Sequence, residues 1–78
     1  MRELKPEGLT EVITADGWHT RPRIQNAILL VFYEAYFSDK PELSDEEAQQ
    51  AVYNKGYLTM TDEEFEAARK SLICRNRQ

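Results

Sequence analysis

At 78 residues, with 14 acids against 10 Lys and Arg and a net charge of −4, the chain is sized for a single small domain, and its charge disfavours an acidic membrane surface or a nucleic-acid backbone as partner. An apolar share of 41%, with one Trp, four Tyr and three Phe, supplies a compact core and excludes wholesale disorder. The lone cysteine, Cys74, has no intrachain partner, which excludes a disulfide framework and sets the expected location as reducing and cytoplasmic.

The first eight residues mix charge with Pro6 and Gly8 and read as a loosely ordered arm, with no targeting signal. Residues 9–21 admit two readings. Thr10, Val12, Ile13 and Thr14 are β-branched, and Asp16-Gly17 is a two-residue hairpin signal that sets Ala15 opposite Trp18 and Ile13 opposite Thr20. Leu9, Val12 and Ile13 also fit the i, i+3, i+4 spacing of a short helix stopped by Gly17. The hairpin is the favoured reading, with His19 as an ordinary strand residue.

Pro22 suits a first helical turn capped by Thr20 or Arg21, and a helix is expected over 22–38. Ile24, Ala27, Ile28, Val31 and Ala35 form its stripe, widened by Leu29, Leu30, Phe32, Tyr33, Tyr36 and Phe37. Such a helix is central in the fold or shares a face with another chain, which nominates Tyr33, Tyr36 and Phe37 for a partner or homodimer interface. Its apolar run is too short to span a membrane. Ser38 to Glu42, with Pro41, ends it.

Two stretches 17 positions apart, Leu43-Ser44-Asp45-Glu46-Glu47 and Met60-Thr61-Asp62-Glu63-Glu64, each read apolar, hydroxyl, then three acids. Ser44 with Glu47, and Thr61 with Glu64, are capping boxes; Leu43 with Ala48, and Met60 with Phe65, are hydrophobic staples. They start helices over 45–55, stopped by Gly56, and over 62–75, with Phe65, Ala68 and Leu72 inward and Glu66–Lys70 as an outer i, i+4 pair. Tyr57-Leu58-Thr59 reads as extended. The expected fold is α+β, mainly α: an N-terminal β-hairpin, a central apolar helix and two capped amphipathic helices in one domain.

Catalytic chemistry is not readable here. One His and one Cys leave neither a nucleophilic triad nor a metal-ligand set, and no calcium loop or Gly-rich phosphate cradle occurs, so no enzyme and no cofactor is expected. A dimeric helix–turn–helix regulator is the alternative reading. It would set Asp62, Glu63 and Glu64 against phosphates and leave only Arg69, Lys70, Arg75 and Arg77 to bind DNA.

The favoured function is protein binding. Asp45, Glu46, Glu47, Asp62, Glu63, Glu64 and Glu66 would form an acidic face that enters a basic groove on a protein partner, as an adaptor or inhibitor. First-turn acids also complement a helix dipole, which is their plain structural reading. Small size, acidity and missing catalytic residues resemble, in profile, phage-encoded inhibitors such as anti-CRISPR proteins that occupy basic nucleic-acid channels.

Overall fold

Leu9 and Ile13 stand four residues apart and both are fully buried, which settles the ambiguous N-terminal segment as a helix. The computed structural model describes residues 6–38 and 43–75. In chain order these form α1 (Pro6–Ile13), a 3-10 turn over Asp16–Thr20, α2 (Arg23–Tyr36), α3 (Asp45–Lys55), a 3-10 turn over Tyr57–Thr59, and α4 (Asp62–Arg75). Among the described residues there is no strand.

The expected α+β class with its N-terminal β-hairpin over 9–21 is therefore corrected to an all-helical fold. Asp16-Gly17 does not make the hairpin turn, because Gly17 lacks the positive φ such a turn requires. Instead the Trp18 N–H donates to the Ala15 carbonyl at 3.1 Å and the chain coils on through Thr20. A lone two-stranded hairpin is marginal in water. An eight-residue helix is too short to stand alone as well, but this one buries Leu9 and Ile13 completely, each worth ~1.5–3 kcal/mol. Packing decides the outcome over local propensity. The expected arm is shortened too: Pro6 to Gly8 belong to α1, and residues 1–5 lie outside the described residues.

The expected central helix is α2, and α1, α3, α4 and the Tyr57–Thr59 turn all pack on it. Ala27, Leu30, Val31, Tyr33 and Ala35 are buried along its length. Pro22 is its N-cap residue rather than its first helical residue, and no side chain caps it. The expected stop over Ser38 to Glu42 lies largely outside the described residues.

Both capping boxes form. Glu47 N–H donates to Ser44 Oγ at 3.1 Å and Ser44 N–H to Glu47 Oε1 at 3.2 Å; Thr61 and Glu64 repeat this at 3.1 and 3.0 Å. Gly56 ends α3 with φ +73°, where an L side chain would be strained. Tyr57–Thr59, expected to be extended, is the 3-10 turn that lays Tyr57 into the core beside Phe65, edge to face at 5.8 Å. Asp62 of α4 pairs with Arg23 at the start of α2, while Arg75 at the other end of α4 lies 4.0 Å from Glu34 near the end of α2. Thus α4 runs beside α2 in the same direction.

Replacing Ser44 or Thr61 by Ala is expected to destabilise the fold by about 1 kcal/mol each, and the two losses should add. Ile13→Ala is expected to cost more, about 2–5 kcal/mol. Urea unfolding of the three variants checks this order; an Ile13→Ala loss no larger than a cap loss would return α1 to a marginal, unpacked segment.

Candidate functional site

The acids singled out from sequence divide by what the fold makes them do. Glu47 and Glu64 are held in the capping boxes, Asp62 accepts from Arg23, and Glu66 accepts from Arg69. Asp45, Glu46 and Glu63 are exposed in the same first turns, and Glu46 and Glu63 make no ion pair among the described residues. No hydrogen bond or ion pair among the described residues joins the two clusters. They begin separate helices, and α3, with 11 residues, puts about 16 Å between Asp45 and its own C-terminal end.

Around the first cluster α3 has a surface the sequence only hinted at. Ala48 and Val52 are buried, so Glu46, Gln49, Gln50 and Tyr53, at i, i+3, i+4 and i+7, share the opposite, exposed side. Tyr53 is 61% exposed, and Gln50 donates to Asn54 at 3.4 Å beside it. The three aromatics nominated on α2 part company. Tyr33 is buried, with Phe37 edge-on at 5.2 Å and the Thr10 hydroxyl at 3.4 Å. Tyr36 is half-buried, and Phe37 is 45% exposed at the helix end.

The basic end required for DNA binding is engaged elsewhere at Arg69, while Lys70 and Arg75 are exposed. Arg69 is only 12% exposed: its guanidinium lies over the Trp18 ring, 5.3 Å from the centroid, and donates to the Ile13 carbonyl and to Glu66. Glu66 thus pairs with Arg69 at i+3, not with Lys70 at i+4 as the spacing suggested. Arg75 shares Glu34 with Lys55, whose Nζ stands at 2.8 Å. Burial, reinforced by the charge of Glu34, raises the nearby Tyr57 phenol above its ordinary 10.0. Arg77 lies outside the described residues. The link from α3 to α4, Gly56 to Thr61, is also longer than the three- or four-residue turn of a helix–turn–helix.

A second surface lies where the Asp16–Thr20 turn meets the first turns of α2 and α4. Trp18 and Phe65 stack there, centroids 6.1 Å apart, and Arg23 lies 4.4 Å over Phe65 while donating to the Tyr57 and Met60 carbonyls at 3.1 and 3.0 Å. Beside this stack opens a cleft of about 420 Å³, edged by His19 and Arg21 on the turn side and by Asp62 and Glu66 on α4. Asn26 lines it from α2. Its Nδ2 donates to the Trp18 carbonyl at 2.9 Å, which fixes the amide's orientation, and its buried Oδ1 accepts from no described residue. Sequence reading missed this cleft, because its residues are scattered over Trp18 to Glu66 and no spacing links them.

Among the described residues no group of His, Cys, Asp and Glu is placed to hold a metal ion, and no helix is long and apolar enough to cross a membrane. Cys74 is exposed. No family model, curated protein or solved structure matches the chain.

The hydrogen bond from Arg69, more than the charges of Arg69, His19 and Lys70, holds the Glu66 carboxyl below its ordinary 4.5, against the opposing effect of burial. A carboxyl depressed in the folded state stabilises the fold above its unfolded value and loses that contribution as pH falls through the folded one. Wild type should therefore melt above Glu66→Gln at neutral pH, and the gap should close on acidification below about pH 4.5. A gap unchanged from neutral to acid pH would contradict this pairing.

Proposed function

We propose that the protein is a non-enzymatic binding module that engages a basic groove on a protein partner through the outer side of α3. The observation that carries this reading is Tyr53, a large aromatic left 61% exposed on a helix whose neighbouring surface is otherwise acid and amide. Tyrosine is enriched at the energetic centres of interfaces because it offers a large contact area and a polar tip at little entropic cost. Glu46 stands two turns before it on the same side, and Asp45 and Glu47 flank the helix start, so a partner that takes Tyr53 also meets negative charge. Glu63 adds charge from the start of α4. A groove that normally holds nucleic acid is a basic surface of the required kind, and occupying it would make the protein an inhibitor, in keeping with the profile of phage-encoded inhibitors.

The test separates Tyr53 and Glu46 from the acids that cap helices. Tyr53→Ala should leave melting nearly unchanged, since its side chain is exposed, and Glu46→Lys should lower it only slightly, through the lost first-turn charge at the start of α3. Each should weaken capture of the partner from host lysate, Tyr53→Ala by ~30-fold or more, equivalent to about 2 kcal/mol. Rising salt should slow association of the wild type with the purified partner. Tight, sequence-dependent binding of duplex DNA by the wild type in a mobility shift would overturn the proposal.

A further inference from the structure

The outer side of α3 is complementary to itself. α3 packs on α2 and on the Tyr57–Thr59 turn. Ala48 and Val52 are buried, and the opposite side carries Glu46, Gln49, Gln50 and Tyr53, all exposed. Charge is graded along the helix, with Asp45, Glu46 and Glu47 in the first turn and Lys55 in the last. Lys55 pairs with Glu34, yet its side chain stays 40% exposed. Hydrogen-bonding capacity is ordered as well: the Glu46 carboxylate only accepts, the Tyr53 phenol offers a donor, and each Gln offers both. At 1.5 Å of rise per residue, Glu46 and Tyr53 stand about 5 Å to either side of the midpoint between Gln49 and Gln50.

We propose that this face docks a second copy of the chain, the two α3 helices lying antiparallel across a two-fold axis through that midpoint. In this register Tyr53 lies level with Glu46 of the second copy, and its phenol O–H donates to that carboxylate. Gln49 lies level with Gln50 of the second copy, where two primary amides pair, each donating to the other's carbonyl oxygen. The acidic first turn comes level with the last turn that carries Lys55 of the second copy. A parallel pair would instead set Glu46 on Glu46 and three acids on three. The two-fold axis makes each of these contacts twice. One helix face of about three turns falls well short of the ~1,200–2,000 Å² buried in stable complexes, so the pair is weak and exchanges rapidly. The contact does not rest on the partner reading above, although it uses the same face. Its consequence is regulatory: at high concentration the second copy shields Tyr53, and a partner protein must displace it.

Spectra of the ¹⁵N-labelled whole protein, purified and alone, recorded from about 10 μM to about 1 mM, test the assignment without any partner. Concentration-dependent shifts should centre on the α3 backbone and on the Gln49 and Gln50 side-chain amides. Tyr53→Phe, which keeps the ring and removes the hydroxyl, should weaken the association about tenfold, and Tyr53→Ala should abolish it over this range. Orientation is read with a thioether-linked spin label on Asn54→Cys in a Cys74→Ser background, mixed with ¹⁵N-labelled Cys74→Ser protein. The antiparallel pair should broaden amides around Asp45 and Glu46 and spare those around Lys55 and Gly56. Four results would overturn the proposal: no concentration-dependent shift up to the highest concentration; shifts centred on Tyr36 and Phe37 at the end of α2; association of Tyr53→Ala equal to that of wild type; or broadening around Lys55 and Gly56 instead of Asp45 and Glu46. Each leaves binding of a partner protein to be judged by its own assay.

Discussion

The fold turns on two arginines and two rings. Trp18 from the N-terminal turn stacks on Phe65 of α4, with Arg23 of α2 over the phenyl ring and Arg69 of α4 over the indole. Each guanidinium also donates to backbone carbonyls of other segments. Arg69 takes the carbonyl of Ile13, the last residue of α1, and Arg23 those of Tyr57 and Met60 in the link before α4. A planar group with several fixed donors suits this double duty, stacking by its face and bonding by its edge. Through this cluster α1, the turn after it, α2, the α3–α4 link and α4 meet at one place. The exposed ion pairs elsewhere, at ~0–1 kcal/mol each, orient the helices more than they stabilise them.

That cluster marks the boundary of what the chain reveals when read residue by residue. The two capping boxes, the Gly56 stop and the apolar breadth of α2 are local signals, and the helices they announce stand where the spacing puts them, within a residue or two of the expected ends. From Leu9 to Thr20 the local signals conflict. β-branched residues and Asp16-Gly17 favour a hairpin, while the contacts that favour a helix come from α2 and α4, tens of residues away. Arg69 and Glu66 were equally opaque, since spacing along one helix says nothing of a carbonyl on α1 that needs a donor. The aromatics of α2 were legible as a group and not one by one: Tyr33 is core, whereas Phe37 reaches solvent.

The acid clusters show how one sequence pattern serves unequal ends. Glu47 and Glu64 are spent on helix starts and Asp62 on Arg23, so the charge left facing outward is smaller than the sequence implies. What survives is organised around α3, where the packing of Ala48 and Val52 turns Glu46 and Tyr53 outward together. On another part of the molecule, the turn that replaces the hairpin brings His19 and Arg21 opposite Asp62 and Glu66 and leaves Asn26 with an unanswered acceptor. The N-terminal segment therefore builds a surface that a hairpin would not have built, and both depend on the same Trp18 anchor.

Native-state hydrogen exchange of wild type and Arg69→Met tests the role of the arginine cluster most directly. Methionine keeps an apolar stem against Trp18 and removes the guanidinium. Amides of α1 and of the Asp16–Thr20 turn should lose protection selectively, while those of α3, to which Arg69 makes no hydrogen bond or ion pair among the described residues, keep theirs apart from any uniform loss of global stability. Equal loss of protection in α1 and α3, or none in either, would contradict the claim that Arg69 holds the N-terminal segment in place.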